Sequence, residues 1–271
     1  MNLNKDKFEL ITHSLSPEHP SLELLKELPF YNKFSFYSAS EFLNIFPSSD
    51  VRDLGVFVDN KLNWRTHYNI IVLKAKQLSG WILNTFYTRS QETMMTLFKS
   101  LVRSRLEYCA EVWNPHLLKD INFLEKIQRT FTSRISGMRS LNYWERLAKL
   151  NIMSLQRRRE KIIIMHVWKI KNGFFPNSVH LQFKLHQRSN TMKAVLKPLP
   201  KVRGRVLTLY EESFTINASK LWNILPAELT HITSLGSFVF KLNKFLTSIP
   251  DNPPLAGYPY KNNNSLTQQC I

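Results

Sequence analysis

The spacing of hydrophobic residues changes character part-way along the chain. Residues 7–13 and 33–38 alternate apolar and polar side chains, the repeat of a strand with one buried face, and residues 54–59 form a short apolar run that ends at a turn signal. From Asn63 onward apolar residues recur at intervals of three and four, the repeat of an amphipathic helix. The pattern predicts a mainly α protein with a short β-containing N-terminal piece followed by a multi-helix body.

The first helices are delimited by residues that favour helix ends. A long helix is predicted to follow Asn63, and a second, around residues 94–102, should end before Asn114 because a proline follows it. A third is predicted over residues 117–135, with Gly137 closing it through the left-handed conformation that glycine adopts easily.

The remaining helices are bounded in the same way. Ser154 is a favourable N-cap for a helix that Gly173 should close. Two shorter helices are predicted at residues 216–224, stopped by Pro226, and at residues 238–246.

These changes divide the chain into four predicted regions. Since two or three strands rarely stand alone, the first region is typical of part of a split domain. The regions are a β-containing piece (1–60), a helical region (61–175), a basic C-terminal helical region (176–250) and an extended or disordered, proline-rich tail (251–271).

Charge is the strongest bulk signal. The formal net charge is +17, which favours partners that carry phosphate, either nucleic acid or an anionic membrane surface. The apolar runs are far shorter than the roughly 20 residues of a membrane span, and the N-terminus carries charges where a signal peptide is apolar. With only Cys109 and Cys270, a disulfide framework is not expected. We therefore predict an intracellular protein, nuclear or cytoplasmic and not secreted, with a nucleic-acid partner and neither a membrane nor a small-molecule partner.

The carboxylates do not form a pattern typical of a polymerase. A polymerase needs paired carboxylates to hold two divalent ions, and no Asp-Asp pair occurs in the sequence. Asp50, Asp53 and Asp59 lie close together, but their spacing favours turn and strand-boundary roles over a metal clamp. We predict no metal ligand, no cofactor and no catalytic residue in this chain.

Another carboxylate pair leaves two interpretations open. Glu107 and Glu111 are one helical turn apart if the helix is continuous, the spacing of a catalytic acid–base pair. Ion pairs with Arg103 and Arg105 are the interpretation that we favour.

Basic residues dominate between Lys126 and Lys171. On adjacent helices this density can form a surface that follows a phosphate backbone, although a charge run is often only a solvated helix face. Tyr143, Trp144 and Trp168 are interleaved with it; core packing is favoured for them over stacking on bases. The predicted nucleic-acid-binding residues in this region are Lys126, Arg129, Arg134, Arg157, Arg158, Arg159 and Lys161.

A series of ordered motifs covers nearly the whole chain. They are LNKDK at residues 3–7, RDLGV at 52–56, LNWRTH at 62–67, LEY at 106–108 with WNP at 113–115, LEKIQR at 124–129, ERL at 145–147, SLQRR at 154–158, WNILP at 222–226 and FKLNKFL at 240–246. In order and spacing they resemble the C-terminal part of the reverse transcriptases of non-LTR (LINE-type) retrotransposons, in particular the jockey-like group.

The resemblance implies an architecture and a partner. Residues 1–60 would be the last strands of a polymerase palm, and the helices after Asn63 the thumb and C-terminal region that grip a template–primer duplex. Lys7 would lie near the primer grip, which adds it to the predicted nucleic-acid-binding residues. The partner would be an RNA–DNA hybrid or the element's own RNA.

The resemblance also limits the activity that we expect. The Asp-Asp turn that binds Mg²⁺ in such enzymes lies before the matched region, so the chain alone is expected to bind template–primer without polymerising. Two alternatives remain open at this stage: a non-catalytic structural or interaction protein, and a decayed retroelement relic without activity.

Overall fold

The structure, a computed structural model, describes residues 11, 35–38, 41–44, 48–175, 185–188, 191–194, 210–211, 213–251 and 264–269. Within them the chain is mainly helical, with short antiparallel strand pairs near the N-terminus, as the sequence predicts. The predicted strand at 7–13 lies, apart from Ile11, outside the described residues. The chain divides into two compact units, residues 1–70 and 71–271, so the unit boundary lies about ten residues beyond the predicted one.

The described strands of the first unit form two antiparallel hairpins. β1 (Ser35–Ser38) pairs with β2 (Glu41–Asn44), and β3 (Asp50–Asp53) pairs with β4 (Val56–Asp59). The strand predicted at 33–38 is confirmed, whereas β2 was not predicted. The strand predicted at 54–59 begins later, because Leu54 and Gly55, with φ of 43° and 89°, form the turn between β3 and β4.

Asp59 organises the entry to the first helix, α1 (Arg65–Thr85). Its carboxylate accepts hydrogen bonds from the backbone N–H groups of Lys61 at 2.9 Å, of Asn63 at 3.0 and 3.1 Å, and of Trp64 at 2.8 Å. These bonds hold a turn in which Leu62 and Trp64 have positive φ. The LNWRTH motif therefore forms the connection between β4 and α1.

His67 completes this connection from the first turn of α1. It is 2% exposed, and its Nδ1 accepts a hydrogen bond from the backbone N–H of Phe57 at 3.3 Å. Burial lowers the pKa of His67 to about 4, so the imidazole is neutral at physiological pH.

The helix predicted around residues 94–102 is present but is not a single α-helix. It consists of α2 (Gln91–Leu97), a π-helical segment (Phe98–Arg103) and α3 (Ser104–Glu107). Cys109 then adopts a left-handed conformation, with φ of 51°, and separates α3 from α4 (Ala110–Trp113). The chain leaves α4 before Asn114-Pro115, as predicted.

The next three helices, with the turns between them, carry the predicted nucleic-acid-binding residues 126–161. They are α5 (Leu118–Thr132), α6 (Tyr143–Leu150) and α7 (Leu155–Lys171). Ser154 caps α7 by accepting the N–H of Arg157, and Gly173, with φ of +72°, follows its end; both predictions are confirmed. Gly137 does not close α5, because that helix ends at Thr132 and Gly137 lies in the turns that follow.

The C-terminal part contains elements that were predicted and others that were not. α8 (Phe214–Ile224) and α10 (Leu235–Ser248) confirm the two predicted helices, with Pro226 before the short α9 (Ala227–Thr230). The hairpin of β5 (Leu185–Arg188) and β6 (Thr191–Ala194) was not predicted.

The prediction of an extended tail is wrong for the part that the structure describes. Asn264, Ser265 and Leu266 are buried, and residues 266–269 form α11 (Leu266–Gln269).

One hydrophobic core cluster of the second unit lies between α7, α8 and α10. Trp168 stacks on Phe238 with ring centroids 5.3 Å apart, and Trp222 also stacks on Phe238, at 6.4 Å. The indole N–H of Trp168 donates to the carbonyl of Ile232 at 2.7 Å, so its polar atom is satisfied inside the core. Leu266 joins this core from the C-terminus. The interpretation of Trp168 as a core residue is confirmed.

Candidate nucleic-acid interface

The members of the basic run 157–161 on α7 differ in burial. Arg157 and Arg159 are 0% and 1% exposed, whereas Arg158 and Lys161 are half-buried. Arg157 donates through Nη2 to the carbonyls of Pro250 at 3.2 Å and Asn264 at 3.4 Å, and its Nε lies 3.8 Å from Glu160 Oε2. Arg157 and Arg159 were predicted to bind phosphate; that prediction is wrong, because both guanidinium groups are enclosed by protein.

A buried carboxylate receives the first N–H groups of α7. Glu125, on α5, accepts from the backbone of Leu155 at 3.0 Å and of Gln156 at 3.3 Å, and from the hydroxyl of Tyr143. Burial raises the pKa of Glu125, and the Tyr143 hydrogen bond and the Arg159 charge oppose this rise. A carboxylate suits this position, since the first turn of a helix presents unpaired donors.

Residues from the C-terminal part complete the same cluster. Asp251 accepts from the backbone N–H and the hydroxyl of Ser154 at 2.6 and 2.8 Å, and Asn264 donates to the Ser154 hydroxyl at 3.2 Å. Glu160 accepts the N–H of Leu266 at 3.2 Å, and burial raises its pKa to about 7. We call this set the α7 polar cluster: Glu125, Ser154, Arg157, Arg159, Glu160, Asp251 and Asn264.

A second group of basic residues lies on the outer side of α5. Lys126 and Arg129 are exposed on the helix, and Arg134 is exposed in the turn that follows. The guanidinium of Arg129 lies 4.8 Å from the ring centroid of Tyr143, a cation–π contact that orients it without neutralising it.

Neighbouring elements add two further cations to this surface. The ammonium of Lys76 lies 5.9 Å from the ring centroid of Phe123 on α5, and Arg89 donates to the carbonyls of Leu83 at 2.8 Å and Arg134 at 3.5 Å. We call this set the cationic stripe: Lys76, Arg89, Lys126, Arg129 and Arg134. Within the described residues none of its members forms an ion pair.

The remaining predicted binders, Arg158 and Lys161, lie in a cleft. Arg158 pairs with Glu107, with Nη2 2.8 Å from Oε2, and Arg103 lies 3.7 Å from the same carboxylate. Lys161 lines the cleft beside Arg158. The ion pair predicted between Glu107 and Arg103 is confirmed, and Arg158 is a partner that the sequence spacing did not suggest.

Glu107 and Glu111 do not act as a pair. The left-handed Cys109 interrupts the helix between them, so they are not one continuous turn apart. Glu111 instead lies 3.6 Å from His166 Nδ1, and the interaction with His166 lowers the pKa of Glu111. Cys109 itself is half-buried.

The other candidate positions have structural roles or lie outside the described residues. Asp50 is opposite Asp59 in the β3–β4 register, and Asp59 caps the turn before α1. In the part of the chain that the structure describes, no three His, Cys, Asp or Glu side chains form a group that could hold a metal ion. None of the helices described there has the length and apolar character to span a bilayer. Lys7 lies outside the described residues.

Comparison with known proteins gives one informative match. A curated protein of Caenorhabditis elegans, described as uncharacterized, is 31% identical to this chain over 130 residues. The match covers 45% of this chain and 64% of the relative, so the chain spans less than two thirds of the length of the curated relative that it matches. No protein-family model matches the chain, and no solved structure matches it.

Proposed function

We propose that this chain is the C-terminal part of a non-LTR retrotransposon reverse transcriptase and that it binds nucleic acid through the cationic stripe. Its partner is an RNA–DNA hybrid or the element's RNA, encountered in the nucleus or cytoplasm. In this reading the strands of residues 1–60 are the end of a palm and the helical body is a thumb. The sequence contains no Asp-Asp pair, so the proposal assigns this chain neither polymerase activity nor a cofactor; the parent enzyme would require Mg²⁺.

The observation that carries the proposal is the placement of Lys126, Arg129 and Arg134. All three are exposed, on one helix and the turn after it, and among the described residues none of them forms an ion pair with an acid; the Tyr143 ring orients Arg129. Of the acidic residues on α5, Asp120 is half-buried and Glu125 is turned inward. A row of uncompensated cations on a rigid helix is suited to contact successive phosphates without reading the bases.

The experiment is a salt titration of binding to an RNA–DNA hybrid, followed by fluorescence anisotropy. Each neutralised phosphate contributes about 0.9 to the slope of log affinity against log salt, so removing three cations should make the slope shallower by about two to three. The test variant is Lys126→Gln/Arg129→Gln/Arg134→Gln.

The matched control removes the same charge elsewhere. Lys220, Lys241 and Lys244 are exposed on α8 and α10, and Lys220→Gln/Lys241→Gln/Lys244→Gln should leave the slope near that of the parent chain. Equal slopes for both triple variants would show only general charge attraction and would refute the stripe as the interface. The parentage is tested separately, by reading the transcript frame upstream of Met1 for an aromatic-x-Asp-Asp turn.

One observation favours a second candidate, a non-catalytic interaction protein. Each of the three sheets described contains only two strands, and such sheets have edges able to pair with another chain. A concentration-dependent dimer with no affinity for the hybrid would favour this candidate over the first.

A further inference from the structure

The partly exposed side of α7 borders a cleft of about 810 Å³ in the second unit. The π-helical segment contributes Lys99 and Arg103, α7 contributes Arg158 and Lys161, and α6 contributes Trp144. A volume of this size is within the range typical of small-ligand sites. We call it the cationic cleft; it shares no residue with the cationic stripe.

The cations of the cleft are held together against their own repulsion. Burial lowers the pKa of Lys161, and the charges of Arg158 and Arg103 lower it further while Glu107 opposes them. Burial likewise lowers the pKa of Arg103, with Arg158 adding to the effect. One carboxylate, that of Glu107, therefore faces three converging cations, and a bound anion would relieve the excess positive charge.

The two acidic residues that line the cleft, Glu145 and Asp251, accept hydrogen bonds at the starts of helices. The Glu145 carboxylate accepts the backbone N–H of Asn142 at 2.8 Å in the capping box of α6. Both oxygens of Asp251 accept hydrogen bonds from Ser154. These carboxylates stabilise helix starts, so Glu107 is the carboxylate that pairs with the cations of the cleft among the described residues.

An aromatic side chain, that of Trp144, also lines the cleft. Trp144 is half-buried, lines the cleft, and packs against Tyr143 with ring centroids 4.9 Å apart. This contact fixes the indole in place. Asn151, Asn243 and Thr247 add hydrogen-bonding groups to the lining. An aromatic ring near clustered cations is the combination that binds a base together with its phosphate.

We propose that the cationic cleft binds one nucleotide unit, with its phosphate at Lys99, Arg103 and Lys161 and its base against Trp144. Two kinds of molecule present such a unit, a free nucleotide and the unpaired end of a nucleic-acid strand. The inference goes beyond the proposed function because it requires no duplex and no residue of the cationic stripe.

The test measures binding of AMP, adenosine, inorganic phosphate and a short 5′-phosphorylated single-stranded oligonucleotide to the full chain by calorimetry. AMP should bind at least about tenfold more tightly than adenosine or phosphate alone, because only AMP presents both groups. Lys161→Gln should weaken AMP binding about tenfold, the effect expected for one charge-assisted hydrogen bond. Trp144→Ala should weaken it about tenfold through lost stacking, and Trp144→Phe should bind nearly as well as the parent chain.

The control is Lys220→Gln, an exposed lysine outside the cleft, which should leave AMP binding unchanged. Thermal melting establishes whether each variant is folded. If Trp144→Ala is not folded, the binding measured for Lys161→Gln decides the test. Comparable affinity for AMP and the oligonucleotide identifies a free nucleotide as a sufficient ligand; binding of the oligonucleotide alone identifies a strand end. No binding of either, or AMP binding that Lys161→Gln leaves intact, overturns the proposal. Equal affinity for phosphate and AMP overturns the assignment of a nucleotide.

Discussion

The α7 polar cluster and the cationic stripe use the same kind of residue for opposite purposes. Arg157 and Arg159 are enclosed and contact carbonyls, an amide and a carboxylate, whereas Arg129 and Arg134 face solvent. The denser basic run in the sequence is the one that contains the two buried arginines. The comparison teaches that charge density along the chain does not identify a binding surface; the partners that each helix face meets decide it.

The difference has an energetic consequence. A buried guanidinium that loses its partners, or a buried acceptor that loses its guanidinium, leaves polar groups that water cannot reach. Removing an exposed cation changes the free energy of unfolding very little, because water solvates the groups around it. Changes in the cluster should therefore alter stability, and changes in the stripe should alter binding.

The largest effect should come from removing the innermost arginine. At pH 8, where Glu160 is ionised, Arg157→Ala is expected to lower the free energy of unfolding by about 3–5 kcal/mol, because it removes the cation beside this buried carboxylate and the donor to two carbonyls. Urea unfolding followed by circular dichroism measures this loss. Arg134→Ala, the matched change in the stripe, should shift it by less than about 0.5 kcal/mol. Similar losses in the two variants would remove the distinction between the regions.

An intermediate effect should follow from titrating the cluster. Burial raises the pKa of Glu160 from its ordinary value of 4.5 to about 7 in the folded protein. The folded state therefore favours the protonated acid: this stabilisation is complete below pH 4.5 and is lost as pH rises through 7. The change corresponds to about 3 kcal/mol in the free energy of unfolding.

The measurement compares the parent chain with Glu160→Gln at each pH between 4 and 8. The difference between them isolates Glu160 from other groups, such as His67, whose lowered pKa destabilises the fold in the opposite direction, as pH falls from 6.5 through 4. A difference that does not vary with pH would mean that Glu160 does not titrate in this range.

The smallest expected loss of stability comes from removing a helix cap, and it should differ between a buried and an exposed cap. Ser154→Ala removes the cap of α7 and an acceptor and donor of the cluster, and should cost about 1–2 kcal/mol. Ser90→Ala removes the exposed cap of α2, where water can replace the hydroxyl, and should cost about 0.5 kcal/mol. Thermal melting of the two variants checks the order; a larger loss for Ser90→Ala would contradict the assignment of Ser154 to a buried network.

Local signals in the sequence were sufficient for many helix boundaries. Ser154, Asn114-Pro115 and Pro226 each mark an end or start through backbone chemistry that acts within a few residues. The same kind of signal identifies α6, which was not predicted: Asn142 and Glu145 form a capping box, visible in the sequence as Asn-x-x-Glu. The left-handed Cys109 has no such signal, since nothing local requires a positive φ there.

The burial of Arg157 and Arg159 depends on contacts that periodicity cannot reveal. The partners of Arg157 lie at residues 250 and 264, and Arg159 donates to Asn114 at 3.2 Å. A helix face that carries arginines appears solvated until distant acceptors are brought to it. For the same reason the sequence predicts Lys126, Arg129 and Arg134 as binding residues but does not distinguish these exposed cations from the buried Arg157 and Arg159.

The docking of Asn264 and Leu266 onto α7 also bears on the order of events during protein synthesis. Arg157 obtains carbonyl partners 93 and 107 residues further along the chain. While the ribosome is still translating that interval, the Arg157 guanidinium lacks both of these carbonyl acceptors and must remain hydrated. The helical body therefore completes its interior only after residues 264–266 have emerged, and nascent chains stalled before that point should be the preferred substrates of chaperones and proteases.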